Sequence, residues 1–391
     1  MSELLDKKRT GIDCYLDWIA GEGVPVVQDY GIYLFEVETR PWPRFGIKGA
    51  ACHCEGRGDF ASMFLFEIPP GGSGLPQRHL YEEVIYVLEG TGSTQIEFAD
   101  GTTRNFEWGP RSLFAVPMNA KHRHFNGSGQ NRALFVSTND MPLIMNLFHN
   151  ETFVFDTNFE FAERIGKSEY FSGGGDLILV RPGNHMWETN FVPDLEKMKL
   201  TEWEERGAGS SIILFVLADG NMHAHISEMP IGTYKQGHRH GPGAHVMIVT
   251  GTGYSLFWWE GEKDYKRLDW KHGMVFPPPG GQWHQHFNTG TVPARYLATS
   301  VGSIRYPLTA LKRRSTGTTS KGAKIAVATS TKEGGDQIDY EDQDPRIHPM
   351  FVAEMRRNGA RARMDKYFED DGTPKSCTAE QKAADRAASK D

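Results

Sequence analysis

The chain has 391 residues, 39% hydrophobic, 12% aromatic and 24% charged, with a formal net charge of −7 from 43 basic and 50 acidic side chains. That composition excludes collagen-like, coiled-coil and wholly disordered chains, and the lack of a basic stripe gives no nucleic-acid partner. No run of about 18 apolar residues is present, so no membrane partner is expected.

Four cysteines (14, 52, 54 and 377) are too few for a disulfide framework. Residues 1–16 lack the apolar core of a signal peptide, so the expected compartment is the cytoplasm. With 43 Gly, 21 Pro and 23 Phe, the sequence predicts many short strands joined by tight turns, an all-β fold class.

In chain order, Tyr15, Leu16, Trp18 and Ile19 give one apolar face to a short helix over residues 8–20. Cys52-His53-Cys54 reads as a buried strand end, because no second Cys pair follows at zinc-site spacing. From Gly31 the pattern becomes short strand-like runs, such as Phe60 to Ile68, stopped by Pro69-Pro70-Gly71-Gly72. It continues to about residue 150 and resumes after about 205. Residues 1–150 are therefore read as a helix plus a first β unit, and 205–310 as a second β unit. Residues 151–204 form the connection, with a short helix predicted near Asp194 to Glu205. Residues 311–391 are read as a polar linker, a tail helix and a frayed end. Within them Lys312 to Asp336 has linker composition, and Ile347, Met350, Phe351 and Met355 give helical spacing over 344–368.

An internal repeat sets the architecture. Gly90-Thr91-Gly92 falls on Gly251-Thr252-Gly253, an offset that also lays Gln77 on His238 and His79 on His240. His122-Arg-His-Phe-Asn126 recurs as His284-Gln-His-Phe-Asn288, and Trp108-Gly109 is matched to His272-Gly273. A strand, a glycine turn and H-x-H-F-N at nearly constant offset make the chain a tandem of two related units.

The second unit concentrates histidine. Eight of the 15 lie between residues 223 and 286, six of them as the H-x-H pairs 223/225, 238/240 and 284/286. Residues two apart on a strand share a face, so each pair aims two imidazoles into one space. Neutral imidazoles converging from separate segments are what a transition metal needs.

These residues resemble the cupin superfamily, whose motifs are G-x5-H-x-H-x(3,4)-E-x6-G and G-x5-P-x-G-x2-H-x3-N. Gly273, Pro279, Gly281, His284 and Asn288 match the second motif, and Gly232, His238, His240 and Gly251 match the first. Ala244 or His245 stands where the Glu belongs. The resemblance implies tandem double-stranded β-helix barrels of the jelly-roll kind. It also implies a metal held by His238, His240 and His284, with His245 as a fourth ligand or a residue acting beside the metal. In the first unit Gln77 replaces the first His, while His79, Glu83 and His122 keep ligand positions and Asn119 replaces a Gly. That unit is read as a degenerate, structural one.

His286 shares the face of His284 and is read as a proton-carrying neighbour of the metal. Trp258, Trp259, Trp283 and Phe287 are candidates for an apolar substrate wall, and Arg295 and Tyr296 for contacts to an anionic substrate. A three-His centre without a carboxylate resembles that of gentisate-type ring-cleaving dioxygenases. The expectation is one divalent metal per chain, Fe(II) before Mn(II), serving a dioxygenase that cleaves a C–C bond with O2 in a small oxygenated substrate. The alternatives are a non-catalytic bicupin assisting another enzyme and an oxalate-type Mn decarboxylase. The resemblance also implies a homodimer.

Overall fold

A computed structural model describes residues 10–56, 60–181, 184–240, 244–308 and 328–376. Its described strands fall into four sheets, two for each repeat. In the first repeat an eight-stranded sheet faces a three-stranded one made by Lys121–Asn126, Gly92–Glu97 and Thr103–Trp108. In the second, a nine-stranded sheet faces a five-stranded one that contains Gly237–His238, Thr252–Trp258, Lys266–Lys271 and Trp283–Asn288. The fold is all-β, as tandem double-stranded β-helix barrels with a few peripheral helices.

The two large sheets pack back to back, which explains why their strands read as unbroken apolar runs rather than alternating ones. Along Ser62–Ile68, Phe64, Phe66 and Ile68 enter the first barrel, while Met63 and Leu65 enter a core shared between barrels. Along Glu83–Glu89, Ile85 and Val87 turn inward, and Val84, Tyr86 and Leu88 join that shared core. Ile213, Phe215, Ile226, Met247, Val249 and Leu297 meet them from the second repeat. Strands of the first repeat's small sheet have one solvated face and alternate, as Gly92–Glu97 does with Thr94 and Ile96 buried.

Short edge strands cross between the repeats. Ile32–Tyr33, from the N-terminal part, pairs with Met274–Phe276 of the second repeat. Phe191–Val192 pairs back onto Leu113–Phe114 of the first. Asn184–Thr189 runs parallel to Ser211–Leu217, and Gln337–Ile338 closes the edge beside Gly237–His238. The stretch 151–204 is thus partly sheet rather than a bare connection.

The repeat holds at atomic detail, with one correction. Gly92 and Gly253 lie opposite Trp108 and Trp270, so Trp108 corresponds to Trp270 and not to His272. Arg111, whose N–H binds Val87 O, corresponds to Gly273, whose N–H binds Ile248 O. Both residues have positive φ, 70° and 81°, so the first repeat tolerates Arg where the second uses glycine. Likewise Asn119 (φ 57°) occupies the left-handed position that Gly281 fills.

Three helix expectations change. Helix α1 spans Cys14–Gly21, because Asp13 caps it by accepting from Leu16 N; residues 1–9 lie outside the described residues. No α-helix forms over 194–205, and only a single 3-10 turn, Glu204–Arg206, overlaps its end. Thr201–Glu202 instead pairs with Ser211 and Ile212, and Trp203 is buried against Ile212 and Leu214. The tail helix is Ile347–Arg357 alone, and the chain beyond it folds back to bury Met364 and Phe368 beside Phe351. Most of the 312–336 stretch and the last fifteen residues lie outside the described residues. No described helix is long and apolar enough to cross a membrane.

Candidate metal centres

In the second barrel, the strand Trp283–Asn288 alternates between two faces. His284 and His286 point inward, while Trp283 and Phe287 join the outer core with Trp258, Tyr254 and Phe351. Antiparallel pairing sets His238 directly opposite His284. Ring nitrogens of His238, His284 and His286 lie within 4.8 Å of one another, all three residues buried. The His240 ring adds a fourth imidazole, 4.8 Å from that of His284 and 5.8 Å from that of His238.

Each of the three is held by its Nδ1. His238 Nδ1 meets Gln236 O at 2.9 Å, His284 Nδ1 meets Gln282 O at 3.0 Å, and His286 Nδ1 meets Ser255 Oγ at 2.7 Å. The carbonyl partners require Nδ1–H on His238 and His284, leaving Nε2 as the lone-pair nitrogen aimed inward. The Nε2 of His284 is buried without a hydrogen-bond partner. Burial, followed by neighbouring cations and imidazoles, holds all three well below the usual imidazole range, so they are neutral near pH 7. Neutral, fixed nitrogens converging on one point fit a transition metal.

The first barrel assembles a different set. His79, Glu83 and His122 are buried, with a ring nitrogen or carboxylate oxygen of each within 4.8 Å of the others. Glu83 Oε1 lies 3.4 Å from His79 Nε2 and 3.7 Å from His122 Nε2, while Ser137 Oγ donates to Glu83 Oε2 at 2.6 Å. The two Nδ1 atoms rest on the carbonyls of Tyr81 and Ala120. Burial raises the Glu83 carboxyl, but the His79 hydrogen bond, the charges of both imidazoles and Ser137 outweigh it, bringing it to about 2. Burial, with His79 and His124, brings His122 down to about 3. Two imidazoles and one carboxylate make a donor set suited to iron or manganese. The amide nitrogen of Gln77 is spent on the carbonyls of Arg44 and Leu75.

Both barrels build the rest of the motif alike. Trp108 Nε1 donates to Thr94 Oγ1, which binds His124 Nδ1, just as Trp270 Nε1 donates to Ser255 Oγ beside His286. Asn126 and Asn288 each donate to three backbone carbonyls, those of Ile68, Pro69 and Asn131 and those of Met229, Pro230 and Val292. The motif Asn thus fastens turns and takes no part in chemistry.

Several expected site residues lie elsewhere. His245 is on the strand face of Met247 and Val249, which looks toward the first barrel, and Ala244 takes the inward position equivalent to Glu83. Arg295 binds Glu228 and the carbonyls of Leu195 and Met198, away from the imidazoles. Trp259 is 46% exposed. Of the six substrate-contact candidates only Tyr296 reaches the interior, its ring 5.4 Å from His286. The sequence reading missed Lys235, 1% exposed, whose Nζ donates to Ser227 Oγ at 2.6 Å and Tyr296 OH at 2.8 Å. Burial pulls its ammonium below the usual lysine range. Its inward direction follows from alternation with Tyr234, but the sequence gives no register there.

Residues 64–138, the strands that carry the first donor set, match the cupin domain family, and the second barrel repeats them strand for strand. The chain is a two-domain cupin. No curated protein sequence matches it. Solved structures similar to this cupin include an oxalate decarboxylase of Bacillus subtilis, 13% identical, with 71% of this chain and 78% of that chain covered and a TM-score of 0.44. The formate complex of Lactobacillus farciminis oxalate decarboxylase is 12% identical, with 70% and 86% covered and a TM-score of 0.45. Likeness at that level says nothing about which reaction this cupin runs.

Proposed function

We propose that this bicupin is a metal-dependent dioxygenase that uses O2 at the second barrel's imidazole cluster to cleave a C–C bond in a small oxygenated, including aromatic, substrate. One observation carries the reading: three buried imidazoles, pinned at Nδ1, converge with no carboxylate among them. A bound divalent metal, Fe(II) before Mn(II), would supply Lewis acidity and, as iron, electrons for dioxygen. His238, His240, His284 and His286 supply the nitrogens that hold it, and being neutral they leave its charge for an anionic substrate. The surrounding Phe257, Phe276 and Trp270 exclude bulk water from the imidazole cluster.

The test is elemental analysis of protein purified without added metal, then oxygen uptake with catechols, gentisate and β-dicarbonyl compounds. Uptake lost in His284→Ala supports the reading. No uptake by iron-loaded protein across those classes overturns it in favour of a metal-binding, non-catalytic bicupin.

A second reading rests on Glu83, the carboxylate the second barrel lacks. With His79 and His122 it supports an oxalate-type manganese decarboxylase seated in the first barrel. Formate released from oxalate without net oxygen consumption, and lost in Glu83→Gln, is the result that favours it.

A further inference from the structure

Because the two barrels share a backbone register, their interiors can be compared position by position. Gly74 N donates to His124 O at 2.9 Å and Lys235 N donates to His286 O at 3.0 Å, so Lys235 stands where the first barrel has glycine. Phe66 pairs with Phe135 in the first barrel, and Ser227 pairs with Tyr296 in the second. Phe64, opposite Ser137, corresponds to His225, opposite Ala298. The first interior is therefore filled by aromatic rings, with Phe66 and Phe135 5.5 Å apart and Phe64 fully buried. The second holds an ammonium, two hydroxyls and a half-buried imidazole in the same places.

This exchange is costly. An ammonium removed from water loses several kcal/mol unless an anion meets it. Among the described residues no carboxylate pairs with Lys235, and its hydrogen bonds go to two neutral hydroxyls. The first barrel shows that the architecture closes without such a group. Lys235 and Tyr296 also share the space of the imidazole cluster, since the Tyr296 ring is 5.4 Å from His286 and 6.2 Å from His225.

We propose that Lys235 and Tyr296 form the anion-binding end of the second barrel's site. They take the carboxylate of a small substrate whose adjacent oxygen faces the imidazoles of His238, His284 and His286. The inference rests on the reading of that cluster as the reaction centre and narrows its substrate class to small carboxylates. Lys235 is a specificity residue here, supplying charge and a directed N–H, with the Tyr296 hydroxyl as second donor.

The experiment is calorimetric titration of the full-length protein, metal-free and metal-loaded, with salicylate and benzoate against salicylamide and benzamide. The expected result is binding of the carboxylates in both forms and at least about tenfold weaker binding of the amides. Lys235→Met should lower carboxylate affinity by at least about tenfold, Lys235→Arg by less, and Tyr296→Phe several-fold. Metal content by elemental analysis should be unchanged in all three. Lys235→Met should also melt at the same temperature as the parent or higher, because an uncompensated buried charge has gone. A lysine that only ties strands together gives the opposite sign, a lower melting temperature with carboxylate binding intact, and that result overturns the proposal. So does a parent protein that does not distinguish carboxylate from amide. If Lys235→Met does not accumulate, Tyr296→Phe carries the same test. Carboxylate binding that depends on Lys235 in a protein taking up no metal leaves this inference standing and sinks the reaction-centre reading.

Discussion

Asn288 reaches three backbone carbonyls through one amide nitrogen, and its Oδ1 accepts from Gly290 N. Asn288→Ala removes all of these bonds, and should cost about 3 kcal/mol by urea unfolding. A loss below about 1 kcal/mol would show that other contacts hold the turn. Gly253 is fixed by close approach, because an added Cβ would sit 2.0 Å from Phe287 O and 2.6 Å from the Trp270 ring. Gly253→Ala should destabilise by at least about 2 kcal/mol through overpacking. These residues were legible in the sequence because the repeat marked them. The donor sets were legible only in part. His284→Ala and Glu83→Gln should each remove about one metal equivalent and leave the other site loaded, by elemental analysis, since the two sets share no residue. Loss of both ions from either substitution would show a single site.

The tail helix, Ile347–Arg357, closes the outer face of the second barrel's small sheet, burying Ile347, Phe351 and Met355 against Tyr234, Tyr254 and Phe287. The edge strand Gln337–Ile338 pairs with Gly237–His238, so the tail braces His238, one of the clustered imidazoles, from outside. A chain ending at residue 308 should melt lower and hold metal in the second barrel more weakly; an unchanged metal affinity would show that the tail only covers apolar surface. His348 gives this docking a pH dependence. Its ring stacks on Phe368 at 3.7 Å, Nδ1 meets Tyr234 OH at 3.2 Å, and burial brings it down to about 4. The unfolded chain binds the proton at about 6.5, so between pH 6.5 and 4 the unfolded state carries more protons. The contribution is complete above pH 6.5 and is lost as pH falls toward 4, by about 1–2 kcal/mol after discounting for partial solvent contact. His348→Gln should flatten the melting temperature against pH over that window.

The two barrels share one apolar core, reinforced by Glu82, which accepts from Arg164, Asn221 N and Met222 N. Thermal unfolding followed by far-ultraviolet circular dichroism and by tryptophan fluorescence should therefore give one coincident transition. Fragments 10–192 and 205–376 expressed apart should not accumulate as soluble monomers, because each exposes its half of that core and the second also loses the neighbouring strands Ile32–Tyr33 and Asn184–Thr189. Two separated transitions would mean that the barrels are thermodynamically independent.

The sequence by itself determined the all-β class, the tandem repeat, the glycine and asparagine positions of the turns, and the imidazole-rich character of the second unit. Each of these is a matter of residue type at fixed spacing along the chain. Direction was not written there. Strand neighbours point to opposite faces, and a shift of one residue exchanges inside for outside. That is why Trp283, Phe287, His245 and Arg295 read as site residues yet face away from it, while Lys235, a single lysine in no motif, turns inward. Partners far apart in the chain were equally out of reach, since the pairing of Ile32–Tyr33 with the second barrel and of Phe191–Val192 with the first is set by which sheet edges the tertiary structure brings together.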